Sequence, residues 1–296
     1  LALIIYLMML VIVPPLFVII FLFLPSVMSS ILNDVRLYCS PKGIIERAIV
    51  QRIDYRVGAS LLKLMGIDWD FRKLKIYDQY KVDGKPITFD SVFFVAHSLG
   101  TVISYNVMSD LFNRADDLAI NGDDEQKEGV KKFWDSLQRF VTLGSPLDKI
   151  AVLFGDEVLR KWPERMFKPE EGENKKLNEI LQHFLPNWWI NYYHFLDPVS
   201  GALSHDYICP KNQIPNNHHL KKFSYIPGLA HVRYWKDKTV LGYLLSRFFG
   251  KARIEFPRKE SMSASTLTWF AIAGYFTWLC IILAPVALVL WSLGVF

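Results

Sequence analysis

The hydrophobic and polar positions of the chain divide it into three blocks. Leu1 to Leu24 and Ser261 to Phe296 contain no charged residue, whereas the stretch between them carries every Asp, Glu, Lys and Arg. Each end block exceeds the roughly 20 apolar residues that cross a bilayer as a helix, so transmembrane segments are expected over residues 1–25 and 266–296. The first has no basic leader, and its apolar run is longer than the ~7–15 residues of a cleaved signal, which favours an anchor. Pro14 and Pro15 are expected to kink it, and Pro285 to bend the second, because proline removes a backbone donor and clashes with the preceding turn.

Between the ends, residues 33–260, the period changes repeatedly. Apolar residues at helical spacing, among them Ile44, Ile45, Ala48, Ile49 and then Leu61, Leu62, Leu64 and Met65, predict two helices between Asn33 and Lys75. Lys81 to Asp90 is a turn-rich approach containing Asp83-Gly84 and Pro86. It leads into Val92-Phe93-Phe94-Val95-Ala96, an unbroken apolar run that predicts a strand buried on both faces, as at the centre of a parallel sheet. Thr101 to Phe112 reads as a helix with Val102, Ile103, Val107 and Leu111 inward. The acidic stretch Arg114 to Lys132 reads as a solvated loop. Phe133 to Phe140 predicts another helix, and Val141-Thr142-Leu143 a short strand entering Gly144-Ser145-Pro146. A Lys- and Glu-rich excursion, about 150–190, fits a cap or insertion and ends in Trp188, Trp189, Tyr192 and Tyr193, read as core or as a membrane-interface belt. Strand and helix in alternation define an α/β class with a mostly parallel sheet.

Charge and cysteine content narrow the partners. The net charge is +5, and the excess is concentrated from Lys221 to Glu260, next to the second apolar block. That placement fits the positive-inside rule and contact with anionic headgroups, and places the middle block on the cytoplasmic or matrix side. No nucleic-acid motif accompanies it. Cys39, Cys209 and Cys280 have neither disulfide-framework nor zinc spacing, and no Asn-x-Ser/Thr acceptor occurs; both favour a reducing compartment. His218-His219 lacks partners at ligand spacing, and there is no Gly-rich phosphate loop, so neither a metal nor a cofactor is expected.

The strongest chemical signal is Ala96-His97-Ser98-Leu99-Gly100-Thr101, set between the apolar strand and the following helix. A serine hydroxyl needs a base to remove its proton and a sharp turn to lift it clear of the sheet, and small residues at 96 and 100 are expected to allow that turn. The same turn aims the Leu99 N–H, at the start of a helix, toward an oxyanion. An ordinary N-cap role is the bland alternative for Ser98.

Val95 to Ile103 resembles the elbow of lipase-like α/β-hydrolases, with Ala at the first small position instead of Gly. Leu143-Gly144-Ser145-Pro146, Trp189-Ile190-Asn191 with Asp197-Pro198-Val199, and Ala230-His231 with Tyr234-Trp235 are similar to that group in the same order, as is Asn33-Asp34-Val35 near the start. The resemblance implies an α/β-hydrolase-like domain over 33–260. Its order of serine, acid and histidine along the chain points to Ser98, Asp197 and His231 as the triad, with the Leu99 N–H in the oxyanion hole. Asp197 also suits a turn opener, and Asp148 and Asp206 are kept as alternative acids. His231 is preferred over His97, His183, His194, His205, His218 and His219 because it follows an anticipated final strand, Lys222 to Ile226, and a Pro227-Gly228 turn. The second oxyanion donor of that family comes from a loop after an early strand, and no stretch from Asn33 to Asp90 reads that way. The strand is expected upstream of residue 1, or to have been lost.

Three functions remain open on the sequence. The first is an esterase or lipase cleaving acyl esters at a bilayer, with membrane lipids and a lipid or other ester as partners. The second is a catalytically silent, hydrolase-shaped subunit of a membrane complex. The third is a peptidase or thioesterase using the same residues.

Overall fold

The computed structural model describes residues 33–75, 78–155, 158–162, 188–194, 197, 199–203, 215–220 and 229–248. Both anticipated membrane segments, most of the anticipated cap and the anticipated strand from Lys222 to Ile226 lie outside these residues. Among the described residues no helix is long and apolar enough to cross a membrane.

Internal contacts separate two units, Leu1–Arg56 and Val57–Phe296. In the first, residues 33–39 are helical and α1 (Ile44–Met65) begins. The buried Tyr38 hydroxyl donates to Asp54 at 2.8 Å, and Arg36 pairs with Glu46 at 3.1 Å. Burial pushes the Cys39 thiol up to about 12, which keeps it protonated and unreactive. The helical period expected here is present, but Ile44, Ile45 and Ile49 face outward.

The second unit carries the α/β architecture. A hairpin, β1 (Tyr80–Val82) and β2 (Lys85–Ile87), occupies the stretch expected as a plain turn-rich approach. Asp83 and Gly84 both have positive φ, 51° and 75°, the geometry that an Asp-Gly pair adopts between antiparallel strands. Then come β3 (Val92–His97), α2 (Leu99–Asn121), α3 (Asp124–Ser136), β4 (Leu137–Leu143), α4 (Leu147–Phe154), β5 (Trp189–Tyr193), β6 (Asn216–His219), α5 (Leu229–Val232), a 3₁₀ turn (Tyr234–Lys236) and α6 (Lys238–Phe248). Strands β3, β4, β5 and β6 form one sheet in chain order, every neighbouring pair parallel.

Three sequence expectations need correction here. The acidic stretch 114–132 is helix: α2 continues to Asn121 and α3 starts at Asp124. Its charges lie on a solvated helix face, while Ala115 and Leu118 are buried. A capping box joins Asp123 and Gln126, and acidic residues in the first turn of α3 complement the helix dipole. The expected helix 133–140 ends at Ser136, and β4 takes over from Leu137. β3 also differs from expectation: Val92 and Ala96 are buried, but Phe93, Phe94 and Val95 are only partly so. Among the described residues β3 is an edge strand, so neighbours cover it from one side.

The sheet is covered on both faces. Val141, Leu143, Ile190 and Tyr192 alternate onto one side, where they join Leu220, Tyr234 and, from α6, Val240 and Leu244. Phe140 and Trp189 alternate onto the other, where aromatic rings dominate: Trp189 meets Tyr105 of α2 at 5.9 Å, and Tyr105 stacks on Trp162 at 5.1 Å. The aromatic cluster around Trp188 is thus core. A buried polar ladder crosses the strands on this face. Trp189 Nε1 donates to Thr142, whose hydroxyl donates to Asn191, whose amide donates to Asn217 and to the Gly201 carbonyl. Each polar group of this ladder then has a partner, and the 201–203 segment is tied to the sheet.

Candidate active site

All four parallel strands end on the same edge, where His97 pairs with Leu143 and Leu143 with Tyr192 in register. Loops leaving the carboxyl ends of a parallel sheet are where such folds place their chemistry. Ser98 stands between β3 and α2 with φ 55° and ψ −132°. A non-glycine residue in that region costs about 1–3 kcal/mol and persists only when its surroundings hold it. Here the Ser98 N–H donates to the Leu143 carbonyl at 3.1 Å, extending the ladder. The Ser98 carbonyl accepts the Thr101 N–H at 2.9 Å and the Thr101 hydroxyl at 2.7 Å.

The Ser98 hydroxyl makes no capping bond to α2. It lies 2.7 Å from Nε2 of His231, whose Nδ1 is 2.8 Å from Oδ2 of Asp197. Residues far apart in the chain therefore converge. The tautomer follows from acceptor chemistry: an ionised carboxylate only accepts, so Nδ1 carries the hydrogen and Nε2 is left to accept from Ser98. Burial works to raise the pKa of Asp197. The hydrogen bond and charge of His231, the Val199 N–H and the Tyr234 hydroxyl outweigh it and hold the group below its ordinary value.

Asp197 also serves as a turn opener, since its Oδ1 accepts the Val199 N–H at 2.8 Å. The two readings of this residue are compatible, one oxygen serving each. Of the alternative acids, Asp148 sits in the first turn of α4, and Asp206 lies outside the described residues. Among the other histidines, His194 is buried, His218 and His219 are on β6, and His183 and His205 lie outside the described residues. Leu99 begins α2, so its N–H belongs to the positive end of that helix.

The expectation that bulk would clash at position 100 fails, because a Cβ on Gly100 would meet nothing within 4 Å. The tight contact is one strand over. Gly144 has φ +59°, and a Cβ there would come within 2.7 Å of the Tyr234 ring and 3.3 Å of both Asp197 Oδ2 and His231 Cε1. The absent side chain lets the end of β4 run directly beneath Asp197 and His231.

Sequence reasoning missed the residues that support this trio. Tyr234, fully buried, donates its hydroxyl to Asp197 Oδ2 at 2.8 Å and lies 2.8 Å from the Ser200 hydroxyl. Burial foremost, then the Asp197 charge, keeps the phenol protonated well above its ordinary range, so it remains a donor. Lys149 Nζ donates to the Ser200 carbonyl at 2.9 Å. Thr101 and the buried Ser145 share a 3.0 Å hydroxyl contact that joins α2 to the turn before α4. The resemblance had singled out Tyr234 along with His231, but without a role for its hydroxyl. Among the described residues no cluster of His, Cys, Asp and Glu could hold a metal ion. Comparison with protein-family models, curated proteins and solved structures finds no match to this chain.

Proposed function

We propose that the protein is a serine hydrolase with an α/β-hydrolase-like domain, cleaving an acyl ester at a membrane surface. The observation that carries this is the unbroken chain Ser98, His231, Asp197 built on a strained strand-to-helix turn. A serine doing structural work has no need of a base at hydrogen-bond distance, nor of a backbone conformation that costs energy. His231 takes the Ser98 proton as Oγ attacks the acyl carbon, and Asp197 steadies the resulting imidazolium. The Leu99 N–H at the start of α2 stabilises the oxyanion. His231 then returns the proton to the leaving alkoxide, and water repeats the sequence on the acyl-enzyme.

The membrane part of the proposal is supported by the uncharged blocks at both ends of the sequence and the basic flank before the second. Anchoring would raise the local concentration of lipid esters. Extraction with alkaline carbonate should leave the chain in the membrane pellet.

A fluorophosphonate probe tests the chemistry. The folded chain should become covalently labelled at Ser98, and Ser98→Ala should not. Folded wild-type protein that stays unlabelled would favour the catalytically silent, hydrolase-shaped subunit. Labelling that survives Ser98→Ala would point to another nucleophile.

A further inference from the structure

We propose that His97, the residue before the nucleophile, is a positioning residue that holds the main chain carrying His231. The inference rests on the serine-hydrolase reading and adds a second link to it. His97 closes β3, and its Nε2 lies 2.7 Å from the carbonyl oxygen of His231. A carbonyl only accepts, so Nε2 carries the hydrogen and donates it. The two imidazole rings lie 4.9 Å apart, tilted by 34°, with Tyr234 and Trp235 closing around His97 at 5.8 and 6.2 Å.

The need for such a link follows from the element that bears the base. His231 belongs to α5, which is only four residues long. A single helical turn has almost no stability of its own, because nucleation fixes several dihedrals for one hydrogen bond. A contact through the imidazole alone would let this turn pivot about the Ser98–His231 bond. With the His97 bond added, consecutive residues of one rigid turn hold both the main chain and the ring of His231. Burial, outweighing the carbonyl hydrogen bond, lowers the pKa of His97 and favours its neutral form. A neutral neighbour places no like charge beside His231 when it becomes an imidazolium. His97 itself exchanges no proton with substrate.

Two substitutions in the full chain test this. His97→Phe keeps an aromatic ring and deletes the donor; His97→Gln keeps an amide N–H at similar reach. The readouts are kcat and KM per titrated active site on a p-nitrophenyl ester, the fluorophosphonate labelling rate and the thermal midpoint. We expect kcat of His97→Phe to fall about 100-fold, the order associated with an ångström of misplacement. KM should stay within about twofold, since an interaction felt only in the transition state lowers kcat alone. The midpoint should barely move. His97→Gln should recover to within about tenfold of wild type, in the range seen when outer-shell partners are altered. A merely structural residue would shift the midpoint and the active fraction while leaving kcat per site intact. His97→Phe with wild-type kcat per site, or His97→Gln no better than Phe, overturns the positioning role and leaves the hydrolase reading standing. Folded wild-type protein that neither labels nor hydrolyses removes the hydrolase reading and this role together.

Discussion

The two sides of the candidate site are held in different ways. Ser98 is fixed by backbone: a strand ends before it, a helix begins after it, and its own N–H and C=O are bonded to Leu143 and Thr101. Asp197 and His231 sit instead on a loop beyond β5 and on a one-turn helix, where side-chain bonds add to the single bond from the Asp197 N–H to the His194 carbonyl. Tyr234 and His231 converge on one oxygen of Asp197, Ser200 backs Tyr234, and His97 holds the His231 carbonyl. Ser98 is therefore robust to losing side chains around it. Asp197 and His231 depend on a network, which can be damaged from several residues away.

The largest effects separate the two sides through stability as well as rate. Ser98→Ala and His231→Ala should each lower kcat by about a millionfold, because triad members act as a unit. Asp197→Asn should lower it about 10⁴-fold through the wrong tautomer. Ser98→Ala leaves the backbone bonds of the elbow in place and should unfold at nearly the wild-type temperature. Asp197→Asn disturbs a buried carboxylate with three donors and should lose about 1–3 kcal/mol. Chemical denaturation of both variants measures the difference; equal losses would mean that the elbow is no better supported than the loops.

Gly144→Ala attacks the boundary between the sides, where a Cβ would crowd Tyr234 first and then Asp197 and His231. The new Cβ would press on the Tyr234 ring in a backbone conformation that suits glycine. A loss of about 1–3 kcal/mol is expected from the strained φ. Turnover should fall too, since the displaced ring carries the hydroxyl bound to Asp197. Calorimetry and ester turnover on the same preparation check this; unchanged turnover would uncouple Tyr234 from the acid.

How much of this was legible in the sequence tracks the same division. The elbow was readable because its signal is contiguous: apolar strand, His97-Ser98-Leu99-Gly100, apolar helix. Asp197 and His231 were singled out only by their order along the chain, and the geometry brings those two residues to Ser98. Tyr234, Ser200 and the supporting bond of His97 were not readable, because hydrogen bonds between loops leave no periodic pattern. The acidic stretch 114–132 was misread because a solvated helix face and a solvated loop share a composition. The capping pair Asp123 and Gln126 was the discriminating signal there. Close packing of a glycine is found at Gly144 rather than at Gly100, a distinction that depends on which strand lies under Asp197 and His231.

Tyr234→Phe sharpens the comparison by removing the hydroxyl bonded to Asp197 and Ser200 while keeping the ring that fills the core. Asp197 would retain His231 and the Val199 N–H, so the acid should stay in place and the variant should fold. Turnover should fall about 10-fold, the equivalent of one net hydrogen bond of roughly 1–1.5 kcal/mol. Thr101→Val, which deletes a hydroxyl bonded to the Ser98 carbonyl on the backbone side, should change turnover less, since the Thr101 N–H still holds that carbonyl. The ratio of the two kcat/KM values is the measurement, and a larger loss for Thr101→Val would reverse the comparison.

The smallest effect is a pH dependence of stability that also divides by group. His97 has a folded-state pKa below its ordinary 6.5 because it is buried. As pH falls below about 6.5, the unfolded chain takes up a proton that the folded chain refuses, so stability declines until the folded pKa is reached. Asp197 has a folded-state pKa below its ordinary 3.8, burial being outweighed by the His231 bond and charge. Its contribution is complete above the unfolded value and is lost as pH falls through the folded one. Two windows result, the first opening below about 6.5 and the second below about 4, both with acid as the destabilising direction. His97→Gln should flatten the upper window and leave the lower intact, and Asp197→Asn should do the reverse. Thermal midpoints of the three proteins between pH 3 and 8 separate these outcomes. A His97→Gln curve parallel to wild type through the upper window would show that His97 titrates alike in the folded and unfolded chain.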